Sequence, residues 1–309
     1  MRICWVAMGV LMALAAAEPG VAAQCASVGF SPSNVSLPNY DPIAGSAVQG
    51  NFTATITRTD PSTTAVRMIF MDSDDSASMP LRLGVVGTTP GPRYDILDGS
   101  GAKVAFPLNT DVTTKRSVKV SLPAGSSGDL VSANYRVDVL ANTVGKDFQN
   151  GTYGEPLTYS IQCFQGTTSQ STDTQVTGPT LSMVIPNLVT LTTGGPQTLD
   201  FQNFTSLAQQ LNVGVKSTGP INIDLRTANQ RKMILAGAPA PAPLNSYIAY
   251  SINLNGRSVT QDPYIVLNAP RTGVAGKAWP LKLSLPSQPS GKIAGAYNDT
   301  ITLTVTPGN

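Results

Sequence analysis

One strand phrase occurs twice in this chain, and the second occurrence has almost nothing after it. Midway stands Lys119-Val-Ser-Leu-Pro123, a short Gly/Ser loop, and then Val131-Ser-Ala-Asn-Tyr-Arg-Val-Asp-Val-Leu140. Near the C-terminus the pattern returns as Lys282-Leu-Ser-Leu-Pro286, a Ser/Pro/Gly loop, and Ala294-Gly-Ala-Tyr-Asn-Asp-Thr-Ile-Thr-Leu-Thr-Val-Thr306. The first copy runs on into another apolar-alternating segment, Tyr153 to Phe164, whereas the second is followed only by residues 307–309. If the copies head equivalent domains, the second domain is expected to be one strand short. In a sandwich of sheets, a missing strand leaves unpaired backbone and an uncovered row of core side chains. That combination is a binding site.

The closing segment has a clean period of two. Tyr297, Ile301, Leu303 and Val305 point one way, while Thr300, Thr302, Thr304 and Thr306 point the other. The first set belongs to a core and the threonines to solvent. Tyr135, Val137, Val139 and Ala141 repeat the alternation, and Leu157, Tyr159, Ile161 and Cys163 add a further inward row. Elsewhere, short alternating runs recur between Gly, Pro, Asn and Asp, and the best helical candidate, Thr205 to Leu211, spans only two turns. Charged residues make up 12% of the chain, against about a quarter in typical globular domains. These features predict an all-β protein of two immunoglobulin-like sandwich domains in tandem. Asn255-Gly256 supplies the left-handed positions of a tight hairpin turn, and the Ala/Pro-rich 236–243 stretch reads as an exposed loop.

The N-terminus sets the compartment. Arg2 precedes an apolar run from Ile3 to Ala17, and Val21-Ala-Ala23 places small residues before a cut at Gln24. This is the layout of a secretory signal over residues 1–23, too short for a membrane span. The mature chain is then exported and keeps two cysteines, Cys25 and Cys163. In an oxidising compartment the pair reads as a disulfide bracketing the first domain, and closing so long a loop contributes about 4 kcal/mol. A metal-ligand role is the weaker reading, because the chain has no His and the cysteines are far apart. The polar, Gly/Ser/Thr-rich stretch 166–179 reads as a linker between a first domain at 24–165 and a second at 180–309.

Catalytic chemistry is hard to place on these residues. Without His there is no Ser–His or Cys–His nucleophile, so no enzyme activity and no cofactor are expected. Asp72-Ser-Asp-Asp75 lacks the spacing and distant Glu of a calcium loop and reads as a solvated turn. Residues 84–92 contain glycines but no Lys and no helix to cradle phosphate. The formal net charge is only +2 and is not gathered in basic blocks, which argues against nucleic acid or an anionic membrane as partner.

Cys25, Asn39-Tyr-Asp-Pro42 and the closing Ala294-Gly-Ala-Tyr-Asn-Asp-Thr-Ile-Thr-Leu-Thr-Val-Thr-Pro307 resemble the spore coat protein U domain, which builds subunits of archaic, Csu-type chaperone–usher pili. The family pattern has Phe-Gly where this chain has Leu37-Pro38, and its usual second Cys position here falls within Ile56-Thr-Arg-Thr-Asp60. The resemblance implies a sandwich lacking its final strand, with Tyr297, Ile301, Leu303 and Val305 lining a groove filled by an extended donor. The implied partners are a periplasmic pilus chaperone, an outer-membrane usher and an adjacent pilin subunit that donates a strand. A mature chain starting at Gln24, with Cys25 already tied in, has no segment to donate, which makes it a tip subunit mediating attachment and biofilm formation. Related tips adhere to abiotic or host surfaces through apolar loops; the candidates here are Met79 and Leu81, Val85 and Val86, and Val144 to Phe148. The alternative is an extracellular coat or matrix protein of the protein U type, with both domains self-sufficient.

Overall fold

The computed structural model describes residues 25–72, 81–86, 89–108, 110–114, 119–141 and 146–309. The molecule is all-β. It opens with β1 (Ala26–Ser31), β2 (Asn34–Ser36), β3 (Val48–Arg58) and β4 (Ala65–Asp72). Two very short strands, β5 (Val85–Val86) and β6 (Thr89–Pro90), pair with each other. Next come β7 (Tyr94–Asp98), β8 (Ala105–Phe106), β9 (Val120–Ser121) and β10 (Leu130–Val139). A long hairpin, β11 (Gly151–Gln165) and β12 (Thr168–Ile185), completes this half. One sheet has the order β1-β3-β10-β7, and the other has β2-β12-β11-β4-β8 with β9 beside β4.

Period-two alternation on β3 and β10 sends Phe52, Ile56, Tyr135 and Val137 inward to meet Phe70, Leu157, Tyr159 and Met183 of the other sheet. Phe52 stacks on Tyr135 with ring centroids 5.3 Å apart, and Phe70 meets Tyr135 edge-on at 5.0 Å. Each such ring pair contributes about 0.5–1.5 kcal/mol beyond its area. Burial holds the Tyr135 phenol well above its ordinary pKa, with the carboxylate of Asp98 adding to the effect. Cys25, beside β1, is bonded to Cys163 on β11, with Cα atoms 6.3 Å apart. The disulfide therefore staples one sheet to the other. The Asn39–Pro42 element is a buried plug. Tyr40 is fully buried and donates to the Leu140 carbonyl at 3.2 Å, while Asp41 Oδ1 accepts from the amides of Ile43 and Ala44 at 2.8 and 2.9 Å.

The expected linker is instead a strand. Residues 168–179 form most of β12, in antiparallel register with β11 from Gln165↔Thr168 to Gly151↔Ile185. Leu181, Met183 and Ile185, at 0–1% exposure, complete the first core. The expected boundaries of 165 and 180 are thus overturned: the first core extends to Ile185. The physical reason is that β11 already carries the apolar side chains. Over residues 168–179 the strand needs only its backbone for the ladder and presents mainly Ser, Thr and Gln, so this part shows no apolar period.

The second half contains β13 (Val189–Leu191), β14 (Ala208–Ser217), β15 (Ile221–Thr227) and β16 (Lys232–Leu235). It continues with β17 (Tyr247–Ala249), β18 (Ser251–Leu254), β19 (Arg257–Val259) and β20 (Tyr264–Ala269). β21 (Gly273–Ser284), β22 (Tyr297–Asn298) and β23 (Ile301–Pro307) end it. A five-stranded sheet, β13-β14-β21-β18-β19, packs against β20-β15-β23, and β17-β16-β22 forms a small third sheet. A separate core fills the space, with Val215, Leu225, Ile252, Trp279 and Leu281 at its centre. Asn255 and Gly256, at φ +50° and +82°, make the tight turn between β18 and β19 that their sequence predicts.

The helical candidate at 205–211 is also overturned, because Ala208 onward is β14. Strand partners on both sides, β13 and β21, satisfy its backbone and outweigh a weak local preference.

Only residues 186–188 connect the cores, and the segment 147–150 presses on the second. Asp147 Oδ1 accepts from Arg271 Nη1 at 2.8 Å and from the Val274 amide at 3.1 Å, and the Asn150 amide donates to the Thr218 carbonyl at 3.0 Å. The approach is close enough to require glycine. A Cβ on Gly273, whose φ is +84°, would lie 2.7 Å from Asp147 Oδ1.

Candidate functional site

The two copies of the repeated strand phrase occupy different places. β10 lies inside its sheet, with β3 on one side and β7 on the other. β23 has β15 on one side and, among the described residues, no strand on its other side. The consequence shows in the burial of paired residues. On β15, Ile221, Ile223 and Leu225 are 0%, 7% and 1% exposed. Across the ladder, Ile301, Leu303 and Val305 face the same core, with Leu303 opposite Leu225, yet stay only half-buried. The threonines between them are exposed. Three of the four residues expected to line a groove therefore form one edge row, uncovered on its free side.

The other wall comes from the opposite sheet. β13 is the edge strand there, and it approaches β23 within 8 Å between Cα atoms. Val189 on β13 packs half-buried on the second core, and Leu191 is 38% exposed. At one end Asn187 ties the walls together, its side-chain amide donating to the Pro220 carbonyl at 2.9 Å and the Gly308 carbonyl at 2.7 Å. At the other end stand Leu199 and Phe204, both half-buried, with Phe204 edge-on to Tyr297 at 6.2 Å. Gln202, Asn203 and Phe204 all have positive φ, which brings Phe201 into the core and leaves Phe204 at its margin. The sequence reading missed these two; the apolar spacing Leu199, Phe201, Phe204 is the signal that was there to find.

Tyr297 has a different job from its three companions. It lies on β22, in the small third sheet, and its hydroxyl donates to the Ile293 carbonyl at 2.6 Å. Asp299 next to it holds the break between β22 and β23. Its Oδ1 accepts from the Asn229 amide at 3.1 Å and the Thr300 amide at 2.8 Å, and its Oδ2 accepts from the Tyr250 hydroxyl at 2.7 Å. Burial, reinforced by that carboxylate, pushes the Tyr250 phenol far above its usual range. Gly295 has φ +152°, a conformation that residues with a Cβ rarely adopt, and a Cβ there would also lie 2.5 Å from Leu235 Cδ1. The Ala-Gly-x-Tyr-x-Asp-Thr part of the closing motif is thus the anchor that aims β23, and the alternating part is the edge itself.

The adhesive-loop candidates fare differently. Leu81 is fully buried and Phe148 is 4% exposed, edge-on to Tyr40 at 6.0 Å. Both belong to the first core, which corrects their assignment as presented side chains: each is an apolar residue at the end of a packed segment. Val86 is half-buried against that core. Met79, Val144 and the side chain of Val85 lie outside the described residues, as do residues 1–23. Among the described residues no helix is long and apolar enough to cross a membrane.

No family model matches the chain, and no curated protein matches it. Among solved structures, it is similar to the CsuC–CsuE chaperone–tip adhesion subunit complex of archaic Csu pili from Acinetobacter baumannii, at 14% identity over 88% of this chain and 96% of that one, with a TM-score of 0.41. The CupB6 tip adhesin from Pseudomonas aeruginosa matches at 12% identity, over 91% and 94% of the two chains, with a TM-score of 0.39. CfaE, the adhesive subunit of CFA/I fimbria of enterotoxigenic Escherichia coli, matches at 13% identity over 89% and 92%, with a TM-score of 0.33. Superpositions this loose leave the functional reading to the residues of the chain itself.

Proposed function

We propose that this chain is the tip subunit of an archaic chaperone–usher pilus, mediating surface attachment and biofilm formation. Its second half accepts a donor strand along β23. A periplasmic chaperone occupies that edge first, and a neighbouring pilin replaces it at the outer-membrane usher. The observation that carries this reading is the mismatch across one ladder, with Leu225 buried and Leu303 opposite it half-open on an unpaired edge. An inserted strand would satisfy the free backbone groups and cover Ile301, Leu303 and Val305 with its alternate side chains. The first half has β10 flanked on both sides and its sheets stapled by a disulfide, so it needs no donor and is free to face outward.

Leu303→Asp places a charge on the covered face of the groove, at a cost of several kcal/mol once a strand closes over it. Thr302→Asp places the same charge on the solvent side. The expected result is that the Leu303→Asp protein fails to co-purify with its chaperone and is lost from the cell surface, while Thr302→Asp behaves as wild type. A peptide copying the N-terminal extension of the pilin encoded beside this chain should bind and stabilise the wild-type protein, by about 1.4 kcal/mol for each tenfold excess over its Kd. Normal surface display of Leu303→Asp, with no peptide binding by calorimetry, overturns the proposal.

A further inference from the structure

At the opposite edge of the same sheet, by β20, the second core opens into a pocket of about 220 Å³. Its floor is Trp279 and Leu254, 5% and 3% exposed, and its wall is the half-buried inner row of β20, Tyr264 and Val266. Its mouth carries Arg257, Lys277 and Arg271, and among the described residues no carboxylate lines it. Arg271 is already compensated by Asp147, whereas Arg257 and Lys277 have no ion-pair partner among the described residues. In a chain with 20 cationic and 18 acidic side chains, this is a local excess placed at the rim of an apolar hole.

Two physical arguments fix what fits. Pockets for drug-sized ligands run to roughly 300–1,000 Å³, so this one admits a single ring and not an extended chain. Aromatic walls favour a ring with an apolar face, and cations beside low-dielectric walls favour one negative charge at the mouth. The guanidinium of Arg257 can take a carboxylate in its planar fork, with Lys277 as a point charge next to it. We infer that this pocket binds a single six-membered ring bearing one carboxylate, its ring face against Trp279 and Tyr264 and its carboxylate between Arg257 and Lys277. The source of such a ring is either an acidic sugar at the end of a glycan or a free aromatic acid. This site is independent of the strand-accepting reading, which concerns the edge at β23.

The chain has two tryptophans, Trp5 in the segment read as an export signal and Trp279 in the pocket, so emission from the mature protein reports the site directly. Glucuronate, benzoate, glucose and benzyl alcohol are titrated into mature protein at millimolar concentrations, with fluorescence and calorimetry in parallel. The expected result is saturable binding of one or both carboxylates, at least tenfold tighter than the matched neutral compound and weakened by salt. Tighter glucuronate supports an acidic glycan as source, and tighter benzoate supports an aromatic acid. The Arg257→Ala/Lys277→Ala variant removes two exposed side chains and keeps the fold, checked by circular dichroism, and it should lose at least tenfold in affinity. Silence in both measurements, equal binding of the neutral compounds, or unchanged affinity in the double variant overturns the inference.

Discussion

Leu225 and Leu303 face each other across one ladder, and truncating each tests whether the edge is built to be covered. Leu225 is 1% exposed, so Leu225→Ala should cost about 3 kcal/mol, near the lower end of the range for buried leucines. Leu303 is half-buried, and its truncation should cost the isolated protein only about 1–2 kcal/mol. A donor strand changes this order. Once the groove is filled, Leu303 becomes a fully covered core residue, and its truncation then also costs about 3 kcal/mol. The difference of about 1–2 kcal/mol must appear as weaker donor binding, roughly tenfold. Leu225 has the same surroundings with and without donor, so its truncation should leave donor affinity nearly unchanged. The assay is urea denaturation of each variant with and without the donor peptide, with Kd from calorimetry under conditions where every variant is folded. The variant that is more stable should be the worse binder. If affinity instead falls in proportion to lost stability, or if Leu225→Ala is the poorer binder, then β23 is an ordinary edge and the reasoning fails.

Replacing Cys25 and Cys163 together by Ala should destabilise the first half by about 4 kcal/mol, seen as an earlier unfolding step, without affecting donor binding by the second half. Gly273→Ala puts a Cβ 2.7 Å from Asp147 Oδ1 at a φ of +84°, which should cost about 1–3 kcal/mol and open the 186–188 connection to limited proteolysis; Asp147→Asn should do much less. The Tyr250 phenol has its pKa raised in the folded protein, so the folded state holds that proton more tightly than the unfolded chain does. Its contribution is complete below the unfolded value of about 10 and is lost as pH rises beyond it. Tyr250→Phe should flatten the loss of stability above that pH, measured by denaturation across an alkaline series.

The features legible in sequence were those with a period. Alternation on β10, β11 and β23 gave the strands and their inward rows, and the composition gave the all-β class. β12 was not legible, since an outward strand of Ser, Thr and Gln looks like a linker when its partner supplies the apolar contacts. Leu81 and Phe148 show the complementary limit. A short apolar group in a loop reads the same whether it faces solvent or turns inward, and only the fold shows that both are buried. The uncovered edge was half visible. β23 announced itself, but Phe204 at its end depends on three residues in the left-handed region, Val189 on the pairing of β13, and the aim of the strand on the Asp299 contacts.

The three-residue joint and the crossed disulfide also have a mechanical meaning. A pull on the second half away from the first enters the first core at Ile185, the end of β12, and runs along that strand. β12 lies antiparallel to β11 over nearly its whole length, with three register shifts, so a load directed along the strand shears backbone hydrogen bonds of that ladder together. β11 in turn cannot slide, because Cys163 ties it to the far sheet through Cys25. A thread sewn through both layers resists tension better than one glued to a single face, and here the strand that leads to the joint is paired with the strand that carries the stitch.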